Sequence, residues 1–261
     1  MSALRIFSYL PNPRIWKATI AARLCEVDVE VRGATPPELA LWRWDFDARP
    51  LSKDEQHAPD DAVVGTTGFR GIRLHKTAAF LRAHPFGTVP AAFSPDGTVG
   101  IFESNSIMRT VARLGEGRRR LYGREPYEAS RIDGFLDVSL VFARDAQHYL
   151  LALMSGTAAP ELQTRARDAF TVYAGGIDQA LAPGREFLVG DDVTLADICF
   201  VAEWALFLNE RTGSTALGLE PITGPERSAE FPRAFAHFAR LAAHPAFAPD
   251  VAPYLEKLAK R

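Results

Sequence analysis

Residues 84–107 read His84-Pro85-Phe86-Gly87-Thr88-Val89-Pro90, Ala91-Ala92-Phe93, Ser94-Pro95-Asp96-Gly97, Thr98-Val99-Gly100-Ile101-Phe102 and Glu103-Ser104-Asn105-Ser106-Ile107. Pro-Asp-Gly is a turn sequence, so a hairpin is expected to join a strand at 91–93 to a strand at 98–102. The chain enters the first strand through a proline and leaves the second through Glu103-Ser104, where a helix running to about Leu114 begins. Ser104 is a good cap for that helix, and the junction of strand end and helix start is also where an anion can be held.

Upstream, Leu4 to Tyr9 reads as a short buried strand closed by Leu10-Pro11-Asn12-Pro13. From Pro13 to Cys25 the apolar Ile15, Trp16, Ile20 and Leu24 recur at helical spacing, and residues 27–31 alternate as a half-buried strand should. Strand, helix, strand opens a βαβ unit with parallel pairing. Residues 33–71 carry Trp42, Trp44 and Phe46 and then a polar, proline-containing run. They read as an insertion with partial structure of its own: a packed decoration, a lid or a dimer contact. A short helix from Lys76 through Leu81 restores order. Beyond residue 115 only helical periodicity remains, with one stripe at Ile132, Phe135, Leu136, Leu140 and Ala143 and another at Leu162, Ala166, Phe170, Tyr173, Ile177 and Leu181. The change of character puts a domain boundary between residues 115 and 126.

The bulk numbers narrow the function. The 261 residues carry a formal net charge of -2, with 47% hydrophobic and 24% charged residues, so no basic excess is present to hold nucleic acid. No run reaches the roughly 20 apolar residues of a membrane-spanning helix, and proline interrupts the start too soon for a signal peptide. Two cysteines, Cys25 and Cys199, exclude a disulfide framework, which suits a reducing cytoplasm. Six scattered histidines offer no ligand spacing, so no metal is expected.

Three segments in order resemble the glutathione transferase superfamily: 84–90, 102–107, and Phe187-Leu188-Val189-Gly190-Asp191-Asp192-Val193-Thr194-Leu195-Ala196-Asp197. Phe231-Pro232-Arg233 through His244-Pro245 is similar to that superfamily's C-terminal helix. Within it, the start at Ile6-Phe7-Ser8-Tyr9 to Lys17-Ala18, with Ile20-Ala21-Ala22 beyond, resembles the transferase-like domain of the elongation factor 1 gamma subunit. Bacterial transferases that cleave aryl ethers are a further relative. The resemblance implies an α/β domain followed by an all-α domain. The first is a thioredoxin-like (βαβαββα) glutathione-binding domain at 1–115, with the insertion at about 33–71; the second is an all-helical domain at 124–261 that contributes the electrophile site.

The resemblance also implies roles. Val89, before a cis Pro90, would pair its main chain with the cysteinyl backbone of glutathione, a miniature strand addition. Ser104 would take the γ-glutamyl carboxylate and Glu103 the ammonium, while His75 and Lys76 would face the glycine carboxylate. Thr88 departs from the glutamine or lysine common in relatives, so one contact is expected to be missing. Asn12, aided by Arg14, falls where serine-type transferases place the group that activates the thiol. An asparagine NH2 can donate to a thiolate but cannot take its proton, and Asn12-Pro13 equally makes a helix cap with a first-turn proline. Tyr9 is a second candidate donor. No cysteine lies in this segment, so thiol–disulfide exchange is not expected. The electrophile pocket is expected where the two domains meet, with Phe142, His148 and Tyr149 as candidates and Arg144 and Asp145 nearby, whereas Thr194 and Asp197 form a capping box. The implied function is glutathione transfer to a small hydrophobic, aromatic electrophile, or glutathione-dependent ether cleavage, by a cytoplasmic homodimer or a heterodimer with a paralogue. A non-catalytic binding or assembly module is the alternative.

Overall fold

The structure, a computed structural model, describes residues 2–57, 62–65, 69–182 and 184–260. It divides into two compact units, Met1–Arg119 and Arg120–Arg261.

In the first unit, β1 (Leu4–Tyr9), α1 (Pro13–Cys25) and β2 (Val29–Ala34) form the expected βαβ start, with β1 and β2 parallel from Leu4↔Val29 to Tyr9↔Ala34. The second strand lies further along than residues 27–31. The helix has not finished there: Glu26 takes a left-handed φ of 52°, and the Val27 N–H still bonds the Ala22 carbonyl. At the other end, Gly33 belongs to β2 rather than to the insertion. A Cβ at this position would overlap the Ser8 carbonyl oxygen, so only glycine lets the two strands lie this close.

The insertion, together with residues 73–76 that follow it, builds a second sheet. A 3-10 turn at Glu38–Leu41 leads to β3 (Trp42–Trp44) and β4 (Arg49–Pro50), followed by β5 (Ala62–Val64) and β6 (Arg73–Lys76). Their order is β4-β3-β6-β5, with β3 and β6 parallel. Residues 58–61 and 66–68 of the insertion lie outside the described residues. The insertion shares one apolar cluster with the rest of the first unit: Trp44, Leu39, Phe69 and Leu74 pack with Phe7, Phe80, Ala91 and Phe93. Trp44 meets Phe7, Phe69 and Phe80 edge-on, with centroids 5.4, 5.5 and 5.9 Å apart, and its indole N–H donates to the Leu39 carbonyl at 3.0 Å. Each such ring contributes about 1.5–3 kcal/mol by burial. The insertion is therefore core, not decoration.

Helix α2 (Ala78–Ala83) starts two residues later than expected, because Thr77 caps it by accepting the Phe80 N–H. The hairpin strands are β7 (Ala91–Phe93) and β8 (Gly100–Phe102), in a sheet of order β2-β1-β7-β8. Thr98 and Val99 fall outside β8 because the turn takes their N–H groups, to Asp96 Oδ1 at 3.1 Å and Ser94 Oγ at 2.9 Å. Helix α3 (Ser104–Leu114) packs on α1.

The second unit is helical: α4 (Pro126–Met154), α5 (Pro160–Ala180), α6 (Leu195–Phe207), α7 (Glu210–Ala216), α8 (Pro225–Glu230), α9 (Pro232–Ala242) and α10 (Ala248–Ala259). Helix α6 is buried almost all round, as a central helix must be. The Thr194–Asp197 capping box is present. Buried Asp197 also accepts the Leu188 N–H at 3.0 Å and lies 2.9 Å from His237 Nε2, so one carboxylate ties the entry loop, α6 and α9 together. Among the described residues, no helix is long and apolar enough to cross a membrane.

Candidate functional site

Strand register brings the candidate residues of the first unit to one end of its sheet. Ala91 pairs with Phe7 and with Phe102. Two residues beyond those pairs lie Tyr9 on β1, Val89 before β7 and Ser104 after β8, so three segments distant in sequence converge. Val89-Pro90 is cis. Val89 is half-buried, and its main-chain N–H and C=O have no hydrogen-bond partner among the described residues. A donor and an acceptor on one residue at a sheet end are what an extended peptide needs to add a strand.

The bend before Val89 is held by side chains. His84 is buried, stacks on Phe102 with centroids 4.9 Å apart, and lies 3.1 Å from the Thr88 hydroxyl through Nε2. Its Nδ1 is buried without a partner among the described residues. Burial, followed by the nearby Lys76 charge, lowers the His84 pKa below the ordinary histidine value. Gly87 has a φ of 58°, a conformation that favours glycine. The expected basic pair divides. Lys76, at the end of β6, donates to the Gly87 carbonyl at 2.7 Å and lies 5.0 Å from the Trp44 ring centroid. Burial lowers its pKa. His75 is half-buried and pairs in register with Arg43 and Ala62. Lys76 thus braces the bend through its carbonyl.

Glu103 is exposed with a φ of 65°, left-handed backbone that few non-glycine residues adopt. It turns the chain out of β8 so that α3 begins at Ser104 with its first N–H groups at the sheet end, where the helix dipole favours an anion. Beneath Ser104 lies a residue that sequence reasoning missed. Lys17 of α1 is fully buried, and its ammonium donates to Ser104 Oγ at 3.2 Å and to Asn105 Oδ1 at 2.7 Å. The signal was a lysine standing inside the apolar stripe of α1, between Trp16 and Ile20.

Asn12 is 1% exposed. Its Oδ1 accepts the Arg14 N–H and its Nδ2 donates to Ser8 Oγ, both at 3.0 Å. The helix-cap role is therefore present, and one of its two amide hydrogens is committed. Arg14 sits half-buried in the first turn of α1.

In the second unit, Phe142 is buried, stacked on Tyr173 at 4.5 Å. It lines a cleft of about 350 Å³ between α4 and α5 with Val138, Val141, Asp145, Arg165 and Val172. His148 is exposed. Tyr149 corrects the expectation: it is fully buried with its hydroxyl 2.9 Å from Ser214 Oγ, so it packs the helical core and presents nothing to a ligand. Asp145 pairs with Arg165 at 3.0 Å, and Arg144 lies 3.8 Å from the same carboxylate.

Known proteins share this architecture. The family model for the glutathione S-transferase C-terminal domain matches residues 141–245. A glutathione transferase from Phanerochaete chrysosporium, URE2P8, solved with oxidized glutathione, superposes with a TM-score of 0.68 at 16% identity, covering 100% of this chain and 98% of that one. The chain is thus similar to glutathione transferases: residues 141–245 match their C-terminal domain model, and its fold is the one seen in URE2P8. Its sequence relatives include elongation factor 1 gamma proteins. A probable one from Arabidopsis thaliana is 28% identical over 254 residues, 94% of this chain and 48% of that one. One from Trypanosoma cruzi is 33% identical over 145 residues, 54% and 34% of the two chains. The chain spans less than half the length of these two.

Proposed function

We propose that the chain binds glutathione at the end of the first sheet and uses it as cosubstrate. The observation that carries this is the convergence of Val89, with its unengaged main-chain groups, and Ser104, at the start of α3, fixed by the pairing of Ala91 with Phe102. The spacing suits a short peptide, with Val89 pairing the cysteinyl backbone, the α3 start and Ser104 taking the γ-glutamyl carboxylate, and Glu103 the ammonium. The glycine carboxylate we assign to His75 and Lys76, and Thr88 would supply no long polar arm to it. The oxidized glutathione with which URE2P8 was solved supports a ligand of the same peptide chemistry here.

The reaction we propose is attack of the glutathione sulfur on an electrophilic, aromatic carbon. The carbon–sulfur bond forms as the leaving group departs with its electron pair, and the thiol proton is released to solvent. Asn12 would stabilise the thiolate with its remaining amide hydrogen, with the charge of Arg14 and the α1 N-terminus beside it. Phe142 and His148 are the residues we assign to the electrophile. Retention on immobilised glutathione, calorimetry, and turnover of a chromogenic electrophile test this reading; absence of glutathione binding at millimolar concentration would sink it.

A second reading, a non-catalytic binding or assembly module, is favoured by the elongation factor 1 gamma relatives and by the commitment of Asn12 to its cap. Binding without turnover would select it. We further propose a cytoplasmic dimer, of two identical chains or with a paralogue, which sedimentation analysis would detect.

A further inference from the structure

We propose that Lys17 sets the sign of the anion end of the glutathione site, making it select a carboxylate over a neutral group. This deepens the glutathione reading and rests on it. The observation is the fully buried ammonium under two consecutive residues at the start of α3, 3.2 Å from Ser104 Oγ and 2.7 Å from Asn105 Oδ1.

The chemistry follows from what an ammonium can do. It has three donors and no acceptor, so Ser104 Oγ accepts from Lys17 and its single hydroxyl hydrogen turns away from the lysine. Without a donor beneath it, a serine hydroxyl rotates to donate or accept as the ligand requires. Here Ser104 is biased to offer a donor. Asn105 is fixed in the same sense: its carbonyl oxygen faces Lys17, so its NH2 points elsewhere. The α3 dipole and first N–H groups have the same sign, and a cation removed from solvent is poorly screened. All these groups favour a negative oxygen and disfavour an amide NH2 in its place. The ligand group they fit is the γ-glutamyl α-carboxylate. Lys17 acts through Ser104, so it is a positioning residue.

The test compares glutathione with the analogue whose γ-glutamyl α-carboxylate is a primary carboxamide, titrated calorimetrically into the full chain. Wild type should prefer the acid by about tenfold or more, and Lys17→Met should reduce that preference to about threefold or less, the range a charge-assisted hydrogen bond commands. Circular dichroism and a thermal melt establish that the variant is folded. A folded Lys17→Met protein that keeps the preference, or that loses both ligands equally, overturns the proposal. If the variant does not fold, 15N-lysine spectra of wild type decide. The Lys17 ζ-nitrogen signal should shift with glutathione and stay in place with the carboxamide; equal responses to both overturn the proposal. Wild type that binds neither ligand removes the glutathione reading and this inference together, whereas wild type that binds glutathione while Lys17 is silent removes only the inference.

Discussion

The Asn12 side chain bridges β1 and α1, with its Nδ2 on the Ser8 hydroxyl and its Oδ1 on the Arg14 N–H, each 3.0 Å away. This arrangement separates capping from catalysis. Asn12→Ala removes both bonds and should cost about 1–2 kcal/mol, read from urea unfolding. Asn12→Asp keeps the capping oxygen and most of that stability, but an ionised carboxylate donates nothing. If Asn12 activates the thiol, both variants lose turnover of a chromogenic electrophile. If it only caps, Asn12→Asp turns over like wild type.

Gly33 lies against the Ser8 carbonyl with no room for a side chain. Gly33→Ala should force β2 away from β1 and destabilise the chain by about 2–3 kcal/mol. The measurement is the urea midpoint, and a midpoint equal to wild type would show that the strands can part at no cost.

His84 gives the expected dependence on pH. Its imidazole is buried with Nδ1 unpartnered among the described residues, and burial together with Lys76 lowers its folded pKa. The folded chain therefore binds this proton less readily than the unfolded chain, whose histidine titrates near 6.5. The stability from neutral His84 is complete above that value and is lost as the pH falls below it. Wild type should lose more stability than His84→Gln between about pH 7 and pH 5.5, since the other groups cancel in the comparison. Equal losses would refute the assignment.

Asp197 holds three elements of the second unit at once, through the Leu188 and Thr194 N–H groups and His237. Asp197→Ala strands those donors in the interior and should cost about 3 kcal/mol or more by urea unfolding. A loss below about 1 kcal/mol would mean that water replaces the carboxylate.

The sequence shows the fold where periodicity and turn chemistry are strong. The start at Leu4–Tyr9 and Pro13–Cys25, the hairpin, and the long stripes of α4 and α5 were all legible, because each carries a repeating apolar pattern or a turn tripeptide. The second sheet was not. Its strands have two to four residues, too short to display a period, and their order interleaves distant segments. The end of β2 was hidden because Gly33 reads locally as a break, whereas its cause is Ser8 across the ladder. In the candidate site, the bend and the helix start were visible as motifs, but Lys17 was not, since its partner Ser104 lies 87 residues away. Tyr149 shows the converse: an aromatic residue on a long helix looks the same in sequence whether it faces a ligand or a core.

The ammonium at the end of β6 grips the Gly87 carbonyl, two residues before Val89, and β6 belongs to the sheet built by the insertion. That sheet and the bend before Val89 are thus mechanically tethered. Any displacement of the inserted segment, by a protein docked on its outer strands or by a substitution in its aromatic floor, would pull on the backbone leading into Val89. A segment that could have been an idle ornament on the surface is instead the anchorage against which the cis-proline bend keeps its shape.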